Sequence, residues 1–347
     1  MSAGGRRPIL IPEGGFRRIA VLRLSSLGDV ILALPAVHAL RRSYPAARIE
    51  FWTKEEYADV VRHDAAITHV RVLERDARRI EDLVSMSAEI EDCDLIVDLQ
   101  VNPRSRILTF RQKAPCLRAP SYRLRRARWV HARWSRPAPA PPALERFAAA
   151  LAPLRIVADG TPRVTAGPEA ERWADGWLAE RALERPVALA PGARHATKRW
   201  PEEYWIALVD RLSERGFPIL ALSLESERRA LPALAARLDR APRSVWHTGA
   251  LDRAAALLAR ARTLVSCDSG LMHLGTARGL RVVAIFGSTA PELGFAPAGP
   301  GHAVLCRHEP CQPCTLHGRE RCPRGHFRCM RELRPETVWE AVEARLA

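Results

Sequence analysis

The sequence predicts an α/β protein made of two doubly wound parallel-sheet domains in tandem. Three observations predict it. Short apolar runs recur without polar alternation, as in strands buried on both faces. Helical stretches separate them, so the chain reads strand–helix–strand. The alternation breaks between residues 117 and 169 and then restarts. A length of 347 residues suits two domains of ordinary size. With 47% hydrophobic and 27% charged residues, such domains bury a core without disulfide staples.

The first half opens with a strand over 18–24 and a turn over 25–29. A helix over 30–44 follows, with Asp29 as its N-cap and Pro45 as its stop. Further strands fall at 48–53, 69–73 and 94–99. Residues 117–143 are Arg-rich, with Tyr122, Trp129 and Trp134 interleaved, and read as a loop ending in a Pro-rich connector. A helix over 143–154 closes the half, and the Gly/Pro-rich stretch 158–169 leads into the linker. Strands then fall at 186–190, 218–222, 244–247, 263–266 and 281–286. Helices fall at 201–215, 225–238, 252–260, 271–278 and 336–346. Tandem doubly wound units are expected to form a cleft at the carboxyl ends of their strands, where such folds bind ligands.

The formal net charge is +15, and Lys occurs only at Lys54, Lys113 and Lys198. A global Arg bias partly reflects codon usage, yet the excess favours an anionic partner. The N-terminal residues lack the apolar stretch of a signal peptide, and no run is long enough to span a bilayer. The expected location is cytoplasmic, where thiols stay reduced, so the eight cysteines are not read as a disulfide framework.

Several segments carry potential chemistry. In Cys267-Asp-Ser-Gly-Leu-Met-His273 a strand ends and a helix begins. Free N–H groups and the positive dipole end there suit a diphosphate, and Asp268 can orient the loop or accept from a sugar hydroxyl. An ordinary capped turn explains it equally well. The loop Ala190-Pro-Gly-Ala-Arg-His-Ala-Thr-Lys-Arg-Trp-Pro201 brings cations to a strand end, where they neutralise phosphate without a metal. In Leu24-Ser-Ser-Leu-Gly-Asp29, Gly28 permits a tight turn and Asp29 is placed to deprotonate a hydroxyl. A helix N-terminus and nearby arginines weaken it as a base, and plain capping is the simpler reading. Glu225 and Glu227 follow a strand where acids accept from ribose hydroxyls or simply favour a helix start.

Two further features stand apart. Cys311, Cys314, Cys322 and Cys329 form C-x2-C-x7-C-x6-C. This is either a tetrahedral structural site for zinc or iron or a set of reduced thiols in a loop. Residues 118–136 hold seven arginines, including Arg123, Arg126, Arg133 and Arg136. Basic and aromatic interleaving suits a phosphorylated lipid headgroup, nucleic acid or merely a solvated loop.

Taken together, Leu24-Ser-Ser-Leu-Gly-Asp29, Asp98-Leu-Gln100, Ala190-Pro-Gly192 with Lys198-Arg-Trp-Pro201, and Asp268-Ser-Gly-Leu-Met-His273 before Phe286-Gly287 resemble the bacterial ADP-heptose:lipopolysaccharide heptosyltransferases, glycosyltransferase family 9. The resemblance spans almost the whole chain. It implies a GT-B fold: two facing Rossmann-like domains with an interdomain cleft, residues 1–165 binding acceptor and 166–347 binding nucleotide-sugar. It implies inverting transfer that needs no metal for catalysis. Asp29 would be the general base and Lys198 the partner of the diphosphate. Thr197, Asp268, Ser269, Gly270, Leu271 and His273 would cradle the donor, and Glu227 would hold the ribose. Ser26, Gly28, Arg123 and Arg126 would meet the acceptor. The implied partners are ADP-heptose or a similar nucleotide-sugar, the anionic lipid A core and the inner-membrane surface, with no nucleic acid. The pattern is mixed: the turn before Asp29 resembles the first heptosyltransferase and the Lys198 loop the second. Alternatives are a nucleic-acid-binding protein with a cysteine-cluster metal site, and a sugar-nucleotide epimerase or hydrolase of the same fold.

Overall fold

A computed structural model describes residues 9–73, 80–132 and 138–346. Arg133, Trp134 and Arg136 of the Arg-rich stretch lie outside the described residues, as does most of the N-terminal segment. The chain divides into two compact units. One comprises residues 1–121 with 143–160, the other residues 122–142 with 161–347. This division differs from a cut at 165/166 chiefly in grouping 122–142 with the C-terminal unit.

The N-terminal unit holds a five-stranded sheet of β1 (Arg18–Leu22), β2 (Arg48–Lys54), β3 (His69–Leu73), β4 (Leu95–Asp98) and β5 (Cys116–Arg118). The strand order is β3-β2-β1-β4-β5, and every pairing is parallel. Ile19, Ala20, Val21 and Leu22 are all fully buried, because helices cover both faces of β1. Helix Leu27–Ser43 crosses between β1 and β2 and buries eleven residues. Sheet order reverses between β1 and β4, so the ends of these two strands form the switch point.

Among the polar residues buried in this sheet, one gathers three cations. Glu50 on β2 is fully buried, with Arg18 at 2.9 Å, Arg48 at 2.8 Å and Arg71 at 3.1 Å. Burial pushes its carboxyl up, but hydrogen bonds and charge from Arg18 and Arg71 prevail and hold it below its ordinary value. A buried carboxylate persists only when paired in this way.

The C-terminal unit holds a six-stranded sheet of β6 (Val187–Ala190), β7 (Ile219–Ser223), β8 (Ser244–Thr248), β9 (Thr263–Cys267), β10 (Val282–Phe286) and β11 (Ala303–Cys306). The order β11-β10-β9-β6-β7-β8 is all parallel and puts the switch point between β6 and β9. Helix Glu202–Glu214 and the closing helix Pro335–Leu346 share a core in which Trp200, Trp205, Val338 and Trp339 are buried.

The structure corrects several expectations. Part of the 117–143 stretch read as loop is ordered: β5 begins just before it, and helix Arg123–His131 lies within it. A three-residue strand is too short to show periodicity, and that helix buries only Val130, so neither leaves an apolar pattern. The single helix expected over 225–238 is two, Glu225–Arg229 and Pro232–Arg240. Pro232 lacks an N–H and forces Leu231 out of helical geometry, to φ −130°. The helix over 143–154 becomes 3-10 from Ala149 to Leu154, with Pro153 inside it. Helix Pro168–Ala179 and strand β11 were not anticipated. The helix faces inward with Ala170, Ala174 and Leu178, too small a stripe to stand out. Asp29 is not the N-cap: Ser26 is, and Asp29 lies in the first turn. Among the described residues, no helix is long and apolar enough to cross a membrane.

Candidate functional site

Chemistry-bearing residues collect at the switch point of each unit. In the N-terminal unit the chain leaves β1 at Leu22 and enters the next helix at Leu27. The Asp29 carboxylate turns back, and its Oδ2 accepts from Ser26 Oγ at 3.1 Å and Ser26 N–H at 3.4 Å. Arg23 Nη2 pairs with the same oxygen at 2.7 Å, and the Asp29 side chain stays 15% exposed. Burial pushes its carboxyl up. Arg23, the hydrogen bonds from Ser26 and the charge of Arg146 outweigh that push and hold it below the ordinary carboxylate value. The group is therefore ionised at neutral pH and partly open to solvent. Gly28 is buried beneath this turn, while Ser26 is exposed.

The end of β4 supports the turn. Gln100 Oε1 accepts from the N–H groups of Leu24 (2.9 Å) and Ser25 (3.1 Å). Asp98 is fully buried and accepts from Gln100 N, Val101 N and Ser105 Oγ at 2.8–3.0 Å. Arg23 and Gln100 were not assigned roles from sequence. Arg23 had one signal, a cation at the end of an apolar strand.

In the C-terminal unit, Lys198 from the loop after β6 reaches Asp268 after β9, Nζ to Oδ2 at 2.8 Å, with side-chain exposures of 16% and 9%. Thr289, just past β10, donates to the same oxygen at 2.6 Å. Ser269 caps helix Gly270–Ala277, whose first N–H groups open beside this pair. Ser269, Gly270 and Leu271 are half-buried at that end, and His273 is buried on the covered side. Burial pushes the Cys267 thiol up to about 12. It stays protonated, accepts from Trp200 N–H at 3.4 Å and donates to the Pro191 carbonyl at 3.6 Å, tying the Lys198 loop to β9.

The two acids after β7 part company. Glu227 accepts from Leu224 N–H at 3.0 Å, and its carboxylate lies where a Cβ on Gly192 would stand. A side chain at residue 192, just past β6, would push that carboxylate aside. Glu225 instead accepts from Thr248 Oγ1 at 3.0 Å, toward β8. Thr197 is buried, and its hydroxyl bonds Ser288 Oγ at 2.8 Å and the Arg319 backbone at 2.8–2.9 Å.

That backbone belongs to the cysteine-rich segment. Cys311, Cys314, Cys322 and Cys329 line one cavity of about 10 Å³, together with Thr197, Gly287 and Ser288. All are free thiols. Among the described residues, no group of three or more Cys, His, Asp or Glu is set in metal-ligating geometry. Gln312 braces the neighbouring loop by donating to the Gly287 and Thr289 carbonyls at 2.6 and 2.9 Å. Thr289 and Gln312 also escaped the sequence reading, since neither lies in a motif.

Of the Arg-rich stretch, Arg123 is exposed and Arg126 half-buried on helix Arg123–His131. Leu124 beside them is 83% exposed.

Known proteins share this architecture. The model of glycosyltransferase family 9 (heptosyltransferase) matches residues 85–322. Lipopolysaccharide heptosyltransferase 1 of Pseudomonas aeruginosa is 31% identical, over 95% of this chain and 98% of that protein. A family 9 glycosyltransferase from Veillonella parvula superimposes with a TM-score of 0.79 at 20% identity, covering 97% of this chain and 99% of the other. E. coli heptosyltransferase WaaC, solved with ADP-2-deoxy-2-fluoro heptose, gives 0.64 at 21%, covering 94% and 99%. At those identities the structural likeness speaks for the fold.

Proposed function

The chain belongs to glycosyltransferase family 9, and from that premise we propose how its two switch points divide an inverting, metal-independent transfer. The chain is a glycosyltransferase of GT-B fold whose relatives are heptosyltransferases of lipopolysaccharide. The donor is ADP-heptose or a closely related nucleotide-sugar, and the acceptor is the anionic inner core of lipid A. The sugar moves in one displacement. Asp29 takes the proton of the acceptor hydroxyl as that oxygen bonds to the anomeric carbon, and the bond to the diphosphate breaks.

Charge builds on the leaving diphosphate during this step. The carrying observation is Lys198 held at the N-terminal end of helix Gly270–Ala277 by Asp268. An ammonium and free N–H groups aimed there stabilise the departing charge more than the ground state. Glu227 against Gly192 supports a ribose contact, and the half-buried Ser269, Gly270 and Leu271 support the diphosphate cradle. Thr197 acts from below, through its bonds to Ser288 and Arg319.

Helix Arg123–His131, with exposed Leu124 among its arginines, supports a cytoplasmic enzyme working against an anionic inner-membrane surface. Four thiols around one small cavity are a donor set that zinc or iron accepts. Such an ion would close the coordination shell and serve structure alone. Neither the nucleic-acid-binding reading nor the epimerase or hydrolase reading gains a supporting observation.

Titration calorimetry with ADP-, UDP- and GDP-sugars, followed by transfer to heptose-deficient lipopolysaccharide, tests the proposal. ADP-sugar binding with transfer is expected, and failure of every nucleotide to bind overturns it. Asp29→Ala abolishes transfer while ADP binding persists; full activity in that variant removes Asp29 as base.

A further inference from the structure

We propose that Arg23 and Gln100 are the positioning residues of the general base: Arg23 orients the Asp29 carboxylate, and Gln100 fixes the backbone turn that carries it. The inference rests on the reading of Asp29 as base.

The geometry is specific. Arg23 uses its two terminal nitrogens in different directions, Nη2 to Asp29 Oδ2 at 2.7 Å and Nη1 to the Leu99 carbonyl at 2.5 Å. Its guanidinium sits 5.0 Å over the Phe147 ring. The residue is only 9% exposed. A planar fork held on three sides has one orientation, and it delivers that orientation to the carboxylate. Gln100 binds the N–H groups of both residues preceding the helix N-cap. Asp98 shapes the Gln100 backbone by accepting from the N–H groups of Gln100 and Val101. Through these bonds the Asp98-Leu-Gln100 motif clasps the catalytic turn to the end of β4.

The charged groups facing Asp29 are Arg23, which follows β1, and Arg146 on helix Ala143–Ala148. Ser26 supplies its hydrogen bonds. Asp98, the other acid at this end of the sheet, is committed to Ser105, Arg118 and the backbone. Removing Arg23 leaves the burial of Asp29 less opposed, so its carboxyl rises and the ionised base is lost as pH falls. Gln100 carries no charge, so its loss misplaces the base without changing its titration.

The test is kcat/KM from pH 4.5 to 8 for the full chain, with ADP-heptose and heptose-deficient lipopolysaccharide. Variants are Arg23→Met, Arg23→Lys, Gln100→Ala and Asp29→Asn, with ADP affinity measured in each. Arg23→Met gains an acid limb absent from the parent, falling about tenfold per pH unit below it. Arg23→Lys restores the parent profile in large part. Gln100→Ala loses on the order of 10- to 100-fold in kcat at every pH, with no new limb. A uniform loss in Arg23→Met, or Arg23→Lys behaving as Arg23→Met, overturns the role of Arg23. Parent kcat in Gln100→Ala overturns that of Gln100. Asp29→Asn separates the two levels: transfer surviving there removes the base itself, and both roles fall with it.

Discussion

Lys198→Ala is the most direct probe of the donor half. Lys198 Nζ lies 2.8 Å from Asp268 Oδ2, and neither side chain is more than 16% exposed. The substitution has two consequences. It removes the cation proposed to meet the diphosphate, and it leaves Asp268 with Thr289 as its remaining side-chain partner. A donor of this kind contributes about 3–4 kcal/mol to the transition state, so kcat falls about 10²- to 10³-fold. The stranded carboxylate repels the incoming diphosphate, so ADP affinity falls as well. Breaking a buried ion pair costs about 3–5 kcal/mol of stability. The 16% exposure of Lys198 and the surviving Thr289 bond place this case at or below the lower end. The assay is steady-state transfer and ADP calorimetry on Lys198→Ala, Asp268→Ala and the double variant. A double-mutant cycle separates the two effects. If the stranded carboxylate dominates, the double variant recovers ADP binding relative to Lys198→Ala. If the lost diphosphate contact dominates, it does not. Retention of kcat and ADP affinity within about twofold in Lys198→Ala would refute the reasoning, since a charge worth less than about 0.4 kcal/mol touches no developing anion.

Other parts of the two units give further expected outcomes. Glu50→Ala removes the carboxylate that Arg18, Arg48 and Arg71 share; Arg18 keeps Asp92, Arg71 keeps Glu89 and all three stay partly exposed, so stability falls by about 1–3 kcal/mol, read as an earlier unfolding transition in denaturant. Because the Glu50 carboxyl is held below its ordinary value, its stabilisation is present above the unfolded pKa and lost as pH falls through the folded one. The Glu50→Gln variant is expected to lose part of that acid sensitivity in thermal melts. Gly192→Ala drives a methyl into the Glu227 carboxylate and weakens ADP binding about tenfold or more with little effect on the Asp29 half, measured by calorimetry. If the four cysteines hold an ion, protein purified without added metal carries about one zinc or iron per chain by elemental analysis, lost in Cys311→Ser/Cys314→Ser; no metal, or metal content unchanged in that variant, dismisses the cysteine site.

Much of the fold was legible in the sequence because burial on both faces writes itself into composition. Val187–Ala190 and Val282–Phe286 are unbroken apolar runs for that reason. The strand-to-helix turns at Asp29 and Ser269 were equally visible, since Gly, Ser and Asp are what such turns need. What failed were elements without a pattern: the three-residue β5 and the helix Arg123–His131, whose arginines leave no apolar face to read.

By itself the sequence determined the two doubly wound units, their order and the segments that reach the strand ends, because local periodicity reports local burial. Tertiary structure alone decided which groups meet there. Arg23 binds the carbonyl of Leu99, 76 residues away, only because β4 returns beside β1. Lys198 finds Asp268 only because β9 lies beside β6. Glu227 rather than Glu225 comes against Gly192 because β6 and β7 are neighbours and the two acids point to different sides of the first turn of one short helix. Such contacts depend on strand order, and strand order is a property of how whole layers pack. No window along the chain contains it.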